Sequence, residues 1–317
     1  MSGYEIRRYD EADEPAVLEL MRRSLGWKVG DPNAELFRWK HVDNPFGASP
    51  AWVAIDDDAV VGFRAFLRWE FLDSGRVVEA VRAVDTATDP DHQGRGIFRV
   101  LTLHALEELS RTDVRFVFNT PNDQSRPGYL KMGWQEAGRV PVSVRPRSVQ
   151  SLGRMARSRV PSELWSTPTD AGVPASSALA EPGLGELLTR LPSSDFGTHR
   201  TADYLRWRFG LPALHYRALP IADDIADGLV LFRLRKRGST VEAAVCDVLV
   251  PKGVPRRFGR ELLRATRADY AIGTGRQRGF LPLPRQGPLL TFRSVGDGAQ
   301  TQAFDPDGMS LGDVELF

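Results

Sequence analysis

The chain has 317 residues, 42 basic and 41 acidic, for a net charge of +1. So even a balance excludes bulk attraction to nucleic acid or to an anionic membrane surface, and no apolar run approaches the roughly 18 residues of a membrane span. One cysteine, Cys246, excludes an intramolecular disulfide and fits a reducing compartment.

With no signal-like core after Met1, a cytoplasmic location is expected, and the length suggests roughly two domains. Tyr4 to Tyr9 reads as a short strand. Asp13 then caps a helix with Pro15 in its first turn, apolar positions at Val17, Leu18, Met21 and Leu25, and Gly26 at its end. A second helix carries Glu35 to Lys40. Strands follow over Ala51 to Ile55 and Val60 to Trp69, joined at Asp56-Asp57-Asp58. A turn at Asp73-Ser74-Gly75 leads into a third, Val77 to Thr88.

That extended run stops at Asp89-Pro90 and enters His92-Gln93-Gly94-Arg95-Gly96. Ile97, Val100, Leu101, Ala105 and Leu109 then recur at helical spacing. Strand, glycine turn, helix start is an order that gathers backbone N–H groups around a phosphate. A lone GxG is weak evidence; its place at a strand-to-helix junction gives it weight. Val114 to Phe118 reads as a buried strand, and the chain continues from Asn119 through Asn122, Ser125, Tyr129 and Gly133 to Trp134.

These residues resemble the acyl-CoA-binding half of the GNAT superfamily of N-acetyltransferases. The pattern Q/R-x-x-G-x-G/A is met by Gln93-Gly94-Arg95-Gly96-Ile97-Phe98 except at its last place. The pattern N-x-x-N-x-x-A-x-x-x-Y-x-x-x-G-F is met by Asn119, Asn122, Tyr129 and Gly133, with Trp134 for Phe and Ser125 in the small-residue place. The two motifs cover Val84 to Trp134, and a looser likeness extends to the N-terminus. Phe98 departs from the pattern. Either its ring turns into the core and leaves its N–H to the phosphate, or the ring narrows the cofactor groove.

The resemblance implies an α/β (α+β) fold built on a mixed, mostly antiparallel twisted sheet flanked by helices, with a splayed strand pair holding acyl-CoA. It implies acetyl-CoA as cofactor. The pyrophosphate would lie on Gln93, Gly94, Arg95, Gly96, Ile97 and Phe98, the pantetheine arm along Ala87 and Thr88, with Asn122 and Ser125 as further cofactor contacts. The acceptor would be a primary amine of a small molecule, peptide or protein. An alkylammonium with a pKa of about 10 must lose a proton before it attacks, and the departing thiolate gains from receiving one. The resemblance gives the second role to Tyr129, which is equally readable as a core tyrosine. Asp85, three residues before Thr88, is the candidate base; a structural carboxylate, or a chain of waters serving instead, are the alternatives.

The second half carries short strings like those of the first, which read either as a duplication or as a chance coincidence. Leu36-Phe37-Arg38-Trp39-Lys40 returns as Tyr204-Leu205-Arg206-Trp207-Arg208, Val60 to Phe63 as Ala226 to Leu229, and Val78-Glu79-Ala80 as Val241-Glu242-Ala243. Asp85 answers Asp247, and Arg99 to Leu101 answers Arg260 to Leu262, at an offset drifting from about 168 to about 161. Two GNAT-like domains are therefore expected: 1–145, catalytic; a linker, 146–183; and 184–317, a degenerate copy. Opposite the glycine turn the copy has Val254-Pro255-Arg256-Arg257, where proline removes a backbone donor. Gly273 to Gly279 reads as a plain turn. Five arginines from Arg145 to Arg159 form either a solvated helix face or a contact to the CoA 3′-phosphate.

The histidines, His41, His92, His104, His199 and His215, show no metal-ligand spacing, so no metal is expected. Trp27, Trp39, Trp52 and Trp69 read as packing before they read as an acceptor pocket. An N-acyltransferase acting as a monomer or loose homodimer, with no nucleic-acid or membrane partner, is the expectation. A non-catalytic acyl-CoA-binding sensor module, and an aminoacyl or longer-acyl transferase, are the alternatives.

Overall fold

The computed structural model describes residues 3–158, 160–192, 195–254, 257–296 and 304–315. In chain order its elements begin with β1 (Glu5–Arg8), α1 (Glu14–Leu25), α2 (Asn33–His41), β2 (Ala51–Asp56), β3 (Ala59–Asp73) and β4 (Arg76–Thr88). Next come α3 (Ile97–Leu109), β5 (Phe116–Asn119), α4 (Arg126–Lys131), β6 (Gln135–Arg139), β7 (Val142–Pro146), α5 (Val149–Arg157), β8 (Val173–Pro174) and α6 (Ala175–Ala178). Then follow α7 (Gly183–Arg190), β9 (Phe196–Thr198), α8 (Ala202–Arg208), β10 (Arg217–Pro220), β11 (Leu229–Arg237) and β12 (Thr240–Leu249). The last are α9 (Gly259–Thr266), β13 (Tyr270–Thr274), β14 (Leu281–Leu283), β15 (Leu289–Ser294) and α10 (Leu311–Val314). The chain divides into two units, Met1–Ala137 with Leu290–Phe304 and Gly138–Leu289 with Asp305–Phe317.

The first unit's sheet runs β1-β2-β3-β4-β5-β15-β6. Its first four strands pair antiparallel in sequence, as a meander of β-branched and aromatic residues joined by tight turns should. β4 and β5 pair parallel, which requires a crossover, and α3 supplies it. The apolar stripe of α3, at Ile97, Leu101, Ala105 and Leu109, packs with Val81, Ala83 and Val117 on one side of the sheet. On the other side, Val17, Leu20 and Met21 of α1 and Phe37 of α2 pack with Val53, Phe63, Ala65 and Ala87. Gly26 closes α1 at φ 69°, but Asp13 does not cap it. The Asp13 carboxylate instead takes the Asp10 N–H and the Arg7 guanidinium, while Asp10 caps the short turn that leads in.

The second unit's sheet runs β14-β7-β13-β12-β11-β10-β8, and only β12 and β13 are registered as parallel within it. Both units are thus mixed α/β with mostly antiparallel sheets flanked by helices. The order α8, β10 to β12, α9, β13 is like that of α2, β2 to β4, α3, β5; Leu36 to Lys40 lies on α2 and Tyr204 to Arg208 on α8, Val78 to Ala80 on β4 and Val241 to Ala243 on β12, whereas Val60 to Phe63 lies within β3 and Ala226 to Leu229 reaches only the first residue of β11.

Several segments take forms that their composition does not announce. The stretch read as a linker, 146–183, holds α5 and β8 and a bridge from Thr167 to Leu234. Arg145 and Arg147 donate to the carbonyls of Gly279 and Arg267, and Arg154 pairs with Asp269. These three arginines serve the second unit's own structure. Arg159, Pro255 and Arg256 lie outside the described residues. The first unit takes its strand β15 from a region that sequence order assigns to the second half. No helix among the described residues is long and apolar enough to cross a membrane.

Gly62 on β3 sets the distance between the sheet and the start of α3. A Cβ there would lie 2.5 Å from Ile97 Cγ2 and 3.1 Å from Leu101 Cδ1. Gly62→Ala should therefore destabilise the fold by about 1–3 kcal/mol through overpacking. Urea unfolding measures this, and an unchanged midpoint would remove the spacing role.

Candidate active site

The parallel pairing of β4 and β5 is registered from Ala80–Phe116 to Arg82–Phe118, while β4 runs on to Thr88 paired with β3. The pairing stops one residue before the end of β5, and β4 runs on along β3. Within the extension the register against β3 slips: Ala65 faces Val84, Arg64 faces Thr86, and Asp85 is the extra residue, with φ at +31°. One inserted residue changes which side of the sheet each later side chain meets. Ala83 packs with α3, yet Ala87, four residues on, packs with α1. The bulge also turns the Asp85 carboxylate towards α2.

There Asp85 meets the Lys40 ammonium, and its Oδ2 lies 2.8 Å from Nε2 of His41. All three side chains are buried. Burial alone would raise the Asp85 carboxyl, but the Lys40 charge and the His41 hydrogen bond outweigh it and hold the group well below the usual carboxylate range. Burial pushes the His41 imidazole below its ordinary value, against the opposing pull of Asp85. The other ring nitrogen, Nδ1, lies 2.9 Å from Ser49 Oγ. The base role expected of Asp85 sits poorly with these surroundings. A carboxylate so firmly held as an anion is a weak proton acceptor, whereas His41, kept neutral beside it, has a lone pair to offer.

At the end of β4 the Thr88 carbonyl accepts a hydrogen bond of 3.0 Å from Ser24 Oγ on α1. Asp89 caps the turn Pro90–His92, accepting from the Asp91 N–H, and is gripped by Arg23. Gly94 and Gly96 both take positive φ, 78° and 79°, where any side chain would be strained. Gly96 is the residue before α3, and no side chain caps that helix. The amides of Ile97, Phe98 and Arg99 therefore stand at the positive end of a 13-residue helix. Gln93 and Arg95 are exposed, and Arg95 donates to Asp56 at 3.2 Å. Ile97 is buried under α3.

Phe98 lies on the first turn of α3. Its ring meets Tyr129 of α4 edge-on at 5.4 Å, and Tyr129 also packs on Trp134 at 5.0 Å. Tyr129 is buried on the α3 side of the sheet, whereas Asp85 faces α2 on the other. The structure thus brings Phe98 and Tyr129 together and keeps Asp85 apart from them. Asn122 and Ser125 are joined to each other: Asn122 Oδ1 accepts from the N–H and the hydroxyl of Ser125, shaping the entry to α4.

Three further charged or titratable residues are buried along this part of the sheet: Lys40, His41 and Arg64. Arg64 is wholly buried on β3, its guanidinium over the rings of Phe66, Tyr129 and Phe98 at 4.5, 5.5 and 5.6 Å. None of its three guanidinium nitrogens has a hydrogen-bond partner among the described residues. Cation–π contacts are worth about 0.5–2 kcal/mol each, against several for desolvating an ion. One sequence signal marks Arg64: a charge inside the apolar run Val60 to Phe66, two residues from Gly62 and two from Phe66, on the core-facing side.

A strand that runs on past its parallel neighbour, ending at a glycine turn and an uncapped helix, agrees with the family comparison, in which residues 5–137 match the acetyltransferase (GNAT) domain. Over these residues the chain is similar to the acetyltransferase (GNAT) domain. Solved structures share its fold. A GCN5-related N-acetyltransferase from Anabaena variabilis ATCC 29413 is 16% identical with a TM-score of 0.64, over 92% of this chain and 73% of that one. Eis1 from Mycobacterium abscessus is 16% identical with a TM-score of 0.56, over the same shares. A GCN5-related N-acetyltransferase from Kribbella flavida is 15% identical with a TM-score of 0.58, over 92% and 71%. No curated protein matches the sequence.

The buried histidine gives the GNAT domain a pH signature. Folding lowers the His41 value, so its cost appears as pH falls through the ordinary 6.5 and grows until the folded value is passed. The Asp85 contribution is complete above its ordinary 3.8 and is lost only at lower pH, so the two windows separate. Thermal melts between about pH 7 and about pH 5 should show a fall in Tm that shrinks in His41→Asn. An identical slope in the variant would remove His41 as its source.

Proposed function

We propose that the protein is an N-acyltransferase that moves an acetyl group from acetyl-CoA to a primary amine on a small molecule or peptide. The glycine turn that leads from β4 to the uncapped start of α3 carries this reading. The residues fit the cofactor at its phosphate end: the amides from Gly94 through Phe98, with the α3 dipole, suit a diphosphate. Arg95 adds charge from the rim, shared with Asp56. Backbone groups of Ala87 and Thr88 would bond the pantetheine arm, alongside the carbonyl bond from Ser24. Asn122 and Ser125 act by fixing the turn into α4. Phe98 is the tight point, because its ring occupies the place where the family pattern has a small residue.

When bound, acetyl-CoA supplies a thioester carbon open to attack by an amine. On the α2 side of β4, His41 takes the amine's proton, directly or through Ser49, with Asp85 fixing the ring and offsetting its charge. Tyr129, on the α3 side, donates a proton to the departing sulfur. The two transfers thus occupy opposite sides of one strand, which keeps acid and base from neutralising each other. We read the second unit as a duplicated copy without the phosphate turn, which leaves one cofactor site in the chain.

Free-thiol release in the presence of a panel of amines tests the reading. Tyr129→Phe should lower kcat by about 10²-fold with KM for acetyl-CoA little changed. A variant at the native rate would remove Tyr129 as the acid. Acetyl-CoA binding without thiol release for any amine would favour a binding module, with Phe98 closing the groove.

A further inference from the structure

The proposed mechanism leaves Arg64 without a task, although its guanidinium is wholly buried. Its guanidinium is removed from water and, among the described residues, meets aromatic rings but no carboxylate and no carbonyl. A buried charge with no counter-ion is stabilising only in a state that supplies one. Its position says where that anion forms. Arg64 lies across from Thr86, in the part of β4 beyond its pairing with β5. Two of its three rings, Phe98 and Tyr129, come from α3, which follows the glycine turn, and from α4. The Asp85 bulge, one residue away on β4, faces the opposite side and has its own cation in Lys40.

We infer that Arg64 is the counter-ion for the sulfur anion released from the acyl donor. This rests on the acetyl-CoA reading above. As the amine nitrogen bonds to the thioester carbon, the carbon–sulfur bond breaks and its electron pair stays on sulfur. Arg64 holds that negative charge from behind the Phe98–Tyr129 pair, in surroundings of low dielectric where one ring's separation leaves the attraction strong. The Tyr129 phenol then gives sulfur its proton and regains one from solvent, to which His41 releases the amine's proton. The products are amide and free thiol. The cationic site exists before the donor arrives, so no reorganisation is needed when charge develops, and its cost falls on the resting protein.

Two measurements separate this role from a structural one. In the free protein, Arg64→Met replaces an unpaired ion by an apolar side chain of similar reach, and Tm should rise. In the complex, the thiol of bound CoA, read by its ultraviolet thiolate absorbance against desulfo-CoA, should titrate about 1–3 units below free CoA in the native protein. It should return to the free value in Arg64→Met and stay lowered in Arg64→Lys. A thiol that titrates identically in native protein and Arg64→Met, both binding CoA, overturns the inference and leaves the donor site standing. Failure of the native protein to bind CoA removes the donor site and the inference with it. A Tm that falls in Arg64→Met, together with an unshifted thiol, assigns Arg64 to packing alone.

Discussion

The extra residue at Asp85 is the constraint on which the site depends. A regular β4 would alternate from Ala83 without interruption, and Ala87 would face α3 rather than α1. The bulge reverses that alternation inside a strand whose other edge has already lost β5. Such a conformation, with a non-glycine residue at positive φ, persists only where its surroundings over-determine it. Here the restraint is the Lys40 ammonium and the His41 ring, both delivered by the last turn of α2. Because the Lys40–Asp85 pair is buried and also bonded to His41, removing either partner would strand a charge in the interior. The pair is thus better understood as a device that specifies β4's shape than as a store of stability.

The fold was legible wherever local chemistry decided it. Gly94 and Gly96 announce a turn because only glycine takes their backbone without strain. The stripe Ile97, Leu101, Ala105 and Leu109 announces α3 because its period matches one buried face. The motif residues from Asn119 to Trp134 are local in the same sense. They set the turn and the short helix that carry Tyr129.

What sequence could not show are matters of long-range pairing. Nothing around Asp85 marks a bulge, since the register of β4 is decided by β3 across the sheet. Lys40 and His41 read as the polar end of an amphipathic helix, and their meeting with a carboxylate 44 positions away has no local trace. β15 is the same case at larger scale. Its residues form a mixed polar and apolar strand, and only the antiparallel register of Thr291 with Asn119 and of Ser294 with Phe116 shows that it belongs beside β5. The buried Thr291–Asn119 side-chain bond closes that pairing at the very end of β5, one residue past its last pair with β4.

The two sides of β4 solve the problem of buried charge in opposite ways. Towards α2, anion and cation are both present and held together, so the field there is nearly balanced and a neutral imidazole can persist beside it. Towards α3, a cation stands among rings alone. Chemistry that begins with two neutral partners and passes through separated charge needs such an asymmetry. A balanced site would stabilise reactants and charge-separated state alike, and only the difference between them accelerates a reaction. The bulge makes this possible in one strand, by turning a carboxylate to one side at the same level where β3 turns Arg64 to the other. An ion pair between those two groups would be the cheaper arrangement for a fold with no work to do. The strand's geometry keeps them apart.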